Sequence, residues 1–391
     1  MNALGGIVYI VFSPLLNQVI SFFASRGETV STFEAGLLTL VNPLMYVFLA
    51  LPFGILADRK GWKLTVGIGA ILMAVFCVLR IFALNMSFLW LLIFQIGFSF
   101  GGPPILASVQ KMVVKWFPIK ERTIASGLGI LATFLGLMIG QFMSPILYAD
   151  LGLGLSGTLV VDGFVIVLAA IIFFALARES PPKPPAPEEA VTARLGRMLR
   201  TRDLYFLSVG FFVGFGVYFS LTAWAVPILG SIGIIGAFNA GLVTGCMTLG
   251  GILGCVAIPR ISDKIGRRKP FLILAGLFAA IFSFIIGTVG DLSISIISAL
   301  LLGFFVIAVM PIALTMLGEM ETVGATLVGA ASGLAMTIGY IGAVGISLVA
   351  QMLSTPVSWY TSILLLAILG VVGTLVMALV RETGEAVKKG K

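Results

Sequence analysis

Charge is scarce in this chain, so the places where it gathers carry most of the chemistry. The densest is Gly54-Ile55-Leu56-Ala57-Asp58-Arg59-Lys60-Gly61-Trp62-Lys63, a charged stretch bracketed by glycine between two long apolar runs. A weaker copy follows as Ile261-Ser262-Asp263-Lys264-Ile265-Gly266-Arg267-Arg268-Lys269. Asp58 maps to Asp263 and Gly61 to Gly266, both at an offset of 205. A carboxylate set among cations at the edge of an apolar run can stay ionised and paired. The glycine permits a tight reversal, and the lysines and arginines anchor the turn in water. The chain holds no histidine, which excludes imidazole catalysis, imidazole proton relays and histidine-ligated haem. Cys77, Cys246 and Cys255 fall in separate apolar runs, so three small buried residues are expected rather than a disulfide or a metal site. No cofactor is expected.

The composition says what must position these charges. Of 391 residues 59% are hydrophobic and 10% charged, with a mean hydropathy of +1.16. Soluble domains carry about 25% charged residues, so there is too little polar surface here to face water, and the chain reads as an all-α integral membrane protein. The first apolar run has no small-residue cleavage site and continues as a spanning helix rather than a secretory signal.

A span needs roughly 20 apolar residues. Twelve fit: 4–24, 33–57, 64–84, 87–112, 123–147, 156–177, 204–229, 236–259, 270–290, 293–318, 324–353 and 357–379. An even number puts both termini on one side. Basic residues then orient the bundle: 22 of the 24 lysines and arginines fall in the loops and tail of one face, leaving Arg26 and Arg80 elsewhere. That face is assigned to the cytoplasm, and it accounts for the net charge of +8 without a nucleic-acid partner.

The chain divides into a bundle at 1–178, a linker at 179–203 and a bundle with a short tail at 204–391. The linker opens with Ser180-Pro-Pro-Lys-Pro-Pro-Ala-Pro187, which cannot continue a helix. In residues 188–202, Leu195, Met198 and Leu199 oppose Arg194, Arg197 and Arg200. An amphipathic helix on the lipid surface and a solvated linker are equally open. The flanking halves read as a repeat. Ala125-Ser126-Gly127-Leu128 recurs as Ala331-Ser332-Gly333-Leu334, and Gly136 as Gly342, at an offset of 206. With six spans in each half, the copies run parallel across the membrane.

Across its whole length the sequence resembles the major facilitator superfamily. Gly54 to Lys63 is similar to that family's loop signature, with Trp62 where the family has arginine. The resemblance implies the major facilitator fold, twelve transmembrane helices in two pseudo-symmetric six-helix bundles that rock about a central site. It also implies a gating role for Gly54, Asp58, Arg59, Gly61, Asp263, Gly266 and Arg267, with Asp58 bracing against a helix N-terminus; an ordinary anchor for the loop is the plainer reading. Lys115-Trp116-Phe117-Pro118-x-Lys120-Glu121-Arg122, Phe12-Ser13-Pro14, Leu79-Arg80, Ile139-Gly140-Gln141 and Ser144-Pro145 are similar to the haem- and choline-transporter branch related to the feline leukaemia virus receptor. That branch implies an aromatic-lined site. In this chain its positions fall at Tyr9, Phe134, Tyr218 or Phe219, and Tyr340. Glutamines of the branch are here replaced by Phe134 and Tyr340, and an aromatic cage suits a cation or a neutral planar solute. Packing explains the same rings.

Charge inside the spans is costly. Asp162 and Glu34 are the coupling candidates, and Arg80 is read as pairing with either or lying at the outer interface. The helix 4 arginine of proton antiporters is replaced by Ile93 and Phe94. Uncharged polar residues at mid-depth are Asn17, Gln18, Asn42, Gln95, Gln141, Thr222, Thr244 and Gln351; Asn17 and Gln141 are candidate substrate contacts, and interhelical bonding is the alternative. No paired acids or metal cluster suit a membrane enzyme. The expected protein is a monomeric multi-pass transporter of the cell membrane, with both termini cytoplasmic, bilayer and small-molecule partners and no metal. The solute is an organic cation such as choline or another amine, or alternatively an organic anion such as a monocarboxylate. A transport-inactive receptor with this fold is the remaining alternative.

Overall fold

A computed structural model describes residues 1–116, 122–178, 200–320, 323–355 and 358–384. Among them every regular element is helical. The first half holds α1 (Asn2–Ile10), α2 (Leu16–Ala24), α3 (Thr32–Lys60), α4 (Trp62–Ala83), α5 (Phe88–Ser99), α6 (Gly102–Trp116), α7 (Arg122–Pro145), a π turn at Ile146–Asp150, and α8 (Gly154–Leu176). The second holds α9 (Arg202–Ala223), α10 (Ala225–Ser231), α11 (Ala237–Ile265), α12 (Lys269–Thr288), α13 (Leu292–Val306), α14 (Val309–Glu319), α15 (Gly324–Leu353) and α16 (Tyr360–Leu379). Eleven stretches among the described residues are long and apolar enough to cross a membrane. Most of residues 179–203, including the amphipathic candidate, lie outside the described residues, as do 117–121 of the Trp-Phe-Pro string.

The first expected span, 4–24, is interrupted at residues 11–15, where Phe12, Ser13 and Pro14 pass through buried turns. Proline there removes a helical donor and clashes with the preceding turn. Three further spans expected as single helices are also broken: at Phe100–Gly101, at Trp224 and at Ile307–Ala308. The breaks in the fourth and tenth spans correspond. Ser99 and Val306 end one segment, and Gly102 and Val309 begin the next, each pair 207 apart.

Two compact units emerge. One comprises Met1–Pro181, Ala223–Val226 and Ile235–Gly245; the other comprises Pro182–Thr222, Pro227–Ile234 and Cys246–Lys391. Within the first, α1 packs on α7 so closely that a β-carbon on Gly136 would lie 1.9 Å from the Ala3 carbonyl oxygen. Within the second, α9 meets α15 in the same way, and a β-carbon on Gly342 would lie 2.2 Å from the Phe212 carbonyl oxygen. The caps are chemical as well. Ser31 and Glu34 form a reciprocal capping box on α3, the Glu28 carboxylate accepts from the Phe88 amide at the start of α5, and Asp291 caps α13 through the Ile294 amide.

The charged turns are much shorter than the sequence implied. Helix α3 continues through Asp58, Arg59 and Lys60, leaving Gly61 alone to reverse the chain into α4, with φ 93° and ψ 154°. Helix α11 likewise runs to Ile265 and stops at Gly266, with φ 69°. Both glycines occupy left-handed backbone that L side chains strain to adopt.

Candidate functional site

The most concentrated intramembrane chemistry lies in the first unit. Arg80, one turn from the end of α4, is completely buried within the protein. Its Nη1 donates to Gln95 Oε1 at 2.8 Å, and its Nη2 to Cys77 Sγ at 2.8 Å. The guanidinium carbon lies 4.5 Å from the centre of the Phe98 ring and 5.5 Å from that of Phe12. Gln95 Nε2 then donates to the Leu38 carbonyl at 2.9 Å, so one chain of contacts ties α4, α5, α3 and the break in the first span together. Each charged hydrogen bond of this kind contributes about 1.5–3 kcal/mol, and a desolvated cation over an aromatic face about 2 kcal/mol. That is how a cation survives here. Gln95, read from sequence as polar at mid-depth, is this bridge.

Asp162 on α8 is also buried and interacts with the Arg80 charge, but no direct ion pair joins them and its Oδ2 makes no hydrogen bond. Glu34, the other coupling candidate, is exposed and spent on the α3 cap. That leaves Asp162.

The aromatic candidates assemble within each unit. In the first, the Tyr9 hydroxyl donates to the Thr39 carbonyl at 2.8 Å; Tyr9 belongs to a buried cluster with Trp62, Phe98 and Leu137, and Phe134 packs against it. In the second, the Phe215 and Tyr340 ring centres lie 5.3 Å apart, and Phe219 is 6.3 Å from Tyr340. Tyr218 meets Phe219 edge-on at 5.4 Å, and its hydroxyl pairs with Thr248 at 2.9 Å. Phe215 was not singled out from sequence. Tyr9 and Phe215 are 206 apart, as are Phe134 and Tyr340, so the repeat offset alone marks it.

Gln141 on α7 is completely buried, and neither amide atom has a partner. A β-carbon on Gly241 would stand 2.4 Å from its carbonyl oxygen, so the glycine admits a close helix approach within the first unit. An unsatisfied buried amide costs about 1–3 kcal/mol. Asn17 is exposed on α2. Cys77 is buried, whereas Cys246 and Cys255 are partly exposed, because neither helix face carrying them is fully covered.

At the end of the second unit carrying Gly266, the engaged side chain is Arg268, one residue beyond the expected Arg267. It grips Glu319 at the end of α14 through Nε and Nη2, at 2.7–3.0 Å, and Asp263 Oδ1 through Nη1 at 2.9 Å. Thr383 donates to Glu319 at 2.6 Å. The Glu382 carboxylate accepts from the amides of Arg268, Lys269, Thr383 and Gly384. Hydrogen bonding to Glu319, above all, raises the Arg268 pKa above the ordinary guanidinium value. Arg267 is exposed, and its carbonyl accepts from Ser262 Oγ. The side chains of Asp58 and Arg59 lie outside the described residues, and Gly54 sits within α3. No group of acids and cysteines among the described residues could hold a metal ion.

Broken apolar spans, a repeated helix-crossing scaffold and paired aromatic sets define a polytopic helical membrane protein built by duplication. The chain matches the model described as Major Facilitator Superfamily over residues 1–345 and again over 226–391, and it belongs to that family of transporters. It is 23% identical to an uncharacterized MFS-type transporter of Caenorhabditis elegans, across 98% of this chain and 67% of that protein. It is 24% identical to the hexuronate transporter of Bacillus subtilis (strain 168), across 63% of this chain and 59% of that protein. The fold is similar to that of a bacterial homolog to the human lysosomal transporter Spinster, seen in an inward-facing, unoccupied conformation. The TM-score is 0.74 with 17% identity, over 97% of this chain and 94% of that one.

Proposed function

We propose that the chain carries a small organic cation, such as choline or another amine, across the cell membrane by alternating access, as a monomer with both termini in the cytoplasm. The observation supporting it is the aromatic set of the second unit, Phe215, Phe219 and Tyr340 with Tyr218, together with Tyr9 and Phe134 of the first. Ring faces attract a quaternary or protonated amine by about 0.5–2 kcal/mol each without a carboxylate. Gln141, with both amide atoms unbonded, would supply the polar contact that orients the solute. The motifs similar to the haem/choline branch point the same way. In this reading Gly61 and Gly266 are the elbows of two inner latches, Asp58 and Asp263 their acids, and Asp162 the group that senses a driving ion.

A second reading is an organic anion. Buried Arg80 and the hexuronate-transporter relative favour it, although Arg80 already has four neighbours and retains only Nε unbonded. Counterflow in proteoliposomes separates the two. Vesicles preloaded with unlabelled choline are expected to accumulate labelled choline transiently, whereas vesicles preloaded with glucuronate are not expected to accumulate the labelled acid. The opposite pattern would sink the cation reading. Asp58→Asn is expected to slow this exchange while leaving the yield of folded protein unchanged; normal turnover would remove the latch.

A further inference from the structure

We propose that the second unit carries a specific site for an anionic phospholipid at the start of α12. Arg267, Lys269, Pro270, Ile273, Leu274 and Glu382 line a groove of about 570 Å³. Its walls are the aliphatic side chains of α12, and its mouth carries the two cations.

Among the described residues, the carboxylates around the mouth are already engaged elsewhere. Asp263 and Glu319 are both taken by Arg268. Glu382 faces the groove, but its carboxylate is occupied by the amides of residues 268, 269, 383 and 384. Neither Arg267 nor Lys269 makes an ion pair among the described residues. Two cations without an ion pair among the described residues, beside one carboxylate already bonded to four amides, complement a phosphodiester.

The groove also has an exit suited to an acyl chain. Ile273 opens a stripe continued by Leu277, Ile281 and Phe284, the last three exposed. At 1.5 Å per residue the stripe runs about 16 Å, roughly half of the ~30 Å hydrocarbon core. That is the depth of one leaflet. A free phosphate would use the mouth and leave the stripe bare; a zwitterionic lipid would use the stripe but bring its own ammonium to the mouth, where it offsets the phosphodiester beside the two cations. Only an anionic lipid uses both.

The test is native mass spectrometry and thermal unfolding of the purified full chain, with phosphatidylglycerol, phosphatidylcholine and inorganic phosphate as separate probes. Phosphatidylglycerol is expected to remain bound and to raise the unfolding temperature, while the other two do neither. Arg267→Gln with Lys269→Gln is expected to weaken phosphatidylglycerol binding about thirtyfold, at about 1 kcal/mol per basic residue near a lipid surface. Arg260→Gln with Lys264→Gln, exposed cations on α11 outside the groove, should change it less than threefold. Ile273→Asp should weaken the lipid without creating a response to phosphate. Equal retention of phosphatidylcholine, an equal response to phosphate, or equal losses in the two double variants would each overturn the assignment. Choline counterflow is a separate readout, so failure of either proposal leaves the other standing.

Discussion

The two halves share a scaffold and divide the polar chemistry between them. In the first, Arg80, Gln95, Cys77 and Asp162 form a buried set inside the spans. The residues 206 positions later are Ile286, Leu301, Ser283 and Ile368, which offer no charge. In the second, Arg268 and Glu319 organise a polar knot at the ends of α11, α14 and α16. At the offset of 205 that relates the two elbows, Arg268 corresponds to another cation, Lys63, whereas Glu319 has only valine at the matching positions, Val113 and Val114. What persists in both is geometric: the glycine crossing, the left-handed elbow and the paired aromatics. Duplication therefore preserved backbone contacts that only one residue type fits, while charge was free to diverge.

The largest effect that should separate the halves is at this buried charge. Arg80→Met leaves Gln95 and Asp162 without their cation and is expected to cost about 3–5 kcal/mol, read as loss of monodisperse protein or a large fall in unfolding temperature. Ile286→Met at the matching position should cost less than about 1.5 kcal/mol. Adding Asp162→Asn to Arg80→Met should recover part of the loss, and strict additivity would show that the two charges act independently.

Next come the crossings, where the halves should behave alike. Gly136→Leu and Gly342→Leu each force α1 from α7, or α9 from α15, and each should cost about 3 kcal/mol by the same measurement. A benign result in one half alone would mean that the scaffold is not shared.

Smaller effects test the aromatics. Phe134→Leu and Tyr340→Leu should each raise the KM for choline about two- to thirtyfold, the range of one lost ring–cation contact, with little change in folded yield. The smallest effect concerns Arg268. Because its pKa is raised in the folded chain, its contribution is present throughout the neutral range and would fade only above the guanidinium range. Arg268→Lys should bring that loss down toward pH ~10.4, seen as faster amide exchange in residues 380–384 at alkaline pH than in the unsubstituted protein.

The sequence makes much of the scaffold legible because spacing carries it. Gly61 and Gly266, Gly136 and Gly342, and Phe134 and Tyr340 can each be found from an offset. Pro14 marks the interruption at 11–15, but those at 100–101, 224 and 307–308 fall on glycine and apolar residues, where an apolar run reads the same whether or not its backbone bonds continue. For Arg80 the sequence left pairing with an acid and an interfacial position both open, because its partners Gln95 and Phe98 come from another helix. The knot at Arg268 was missed for a related reason: Glu382 and Thr383 meet it from more than a hundred residues away, where no local pattern reaches. Gln141 was legible as a polar residue, but not as one with both atoms unbonded.

The single-residue elbow at Gly61 has a stereochemical consequence. With φ at 93° and ψ at 154°, the chain there lies in a region that essentially only glycine occupies, and its mirror image borders the extended region open to L-residues. A D-alanine introduced by chemical ligation should therefore sit at Gly61 with little strain, where L-alanine would resist. Backbone handedness is therefore one condition on what this elbow accepts.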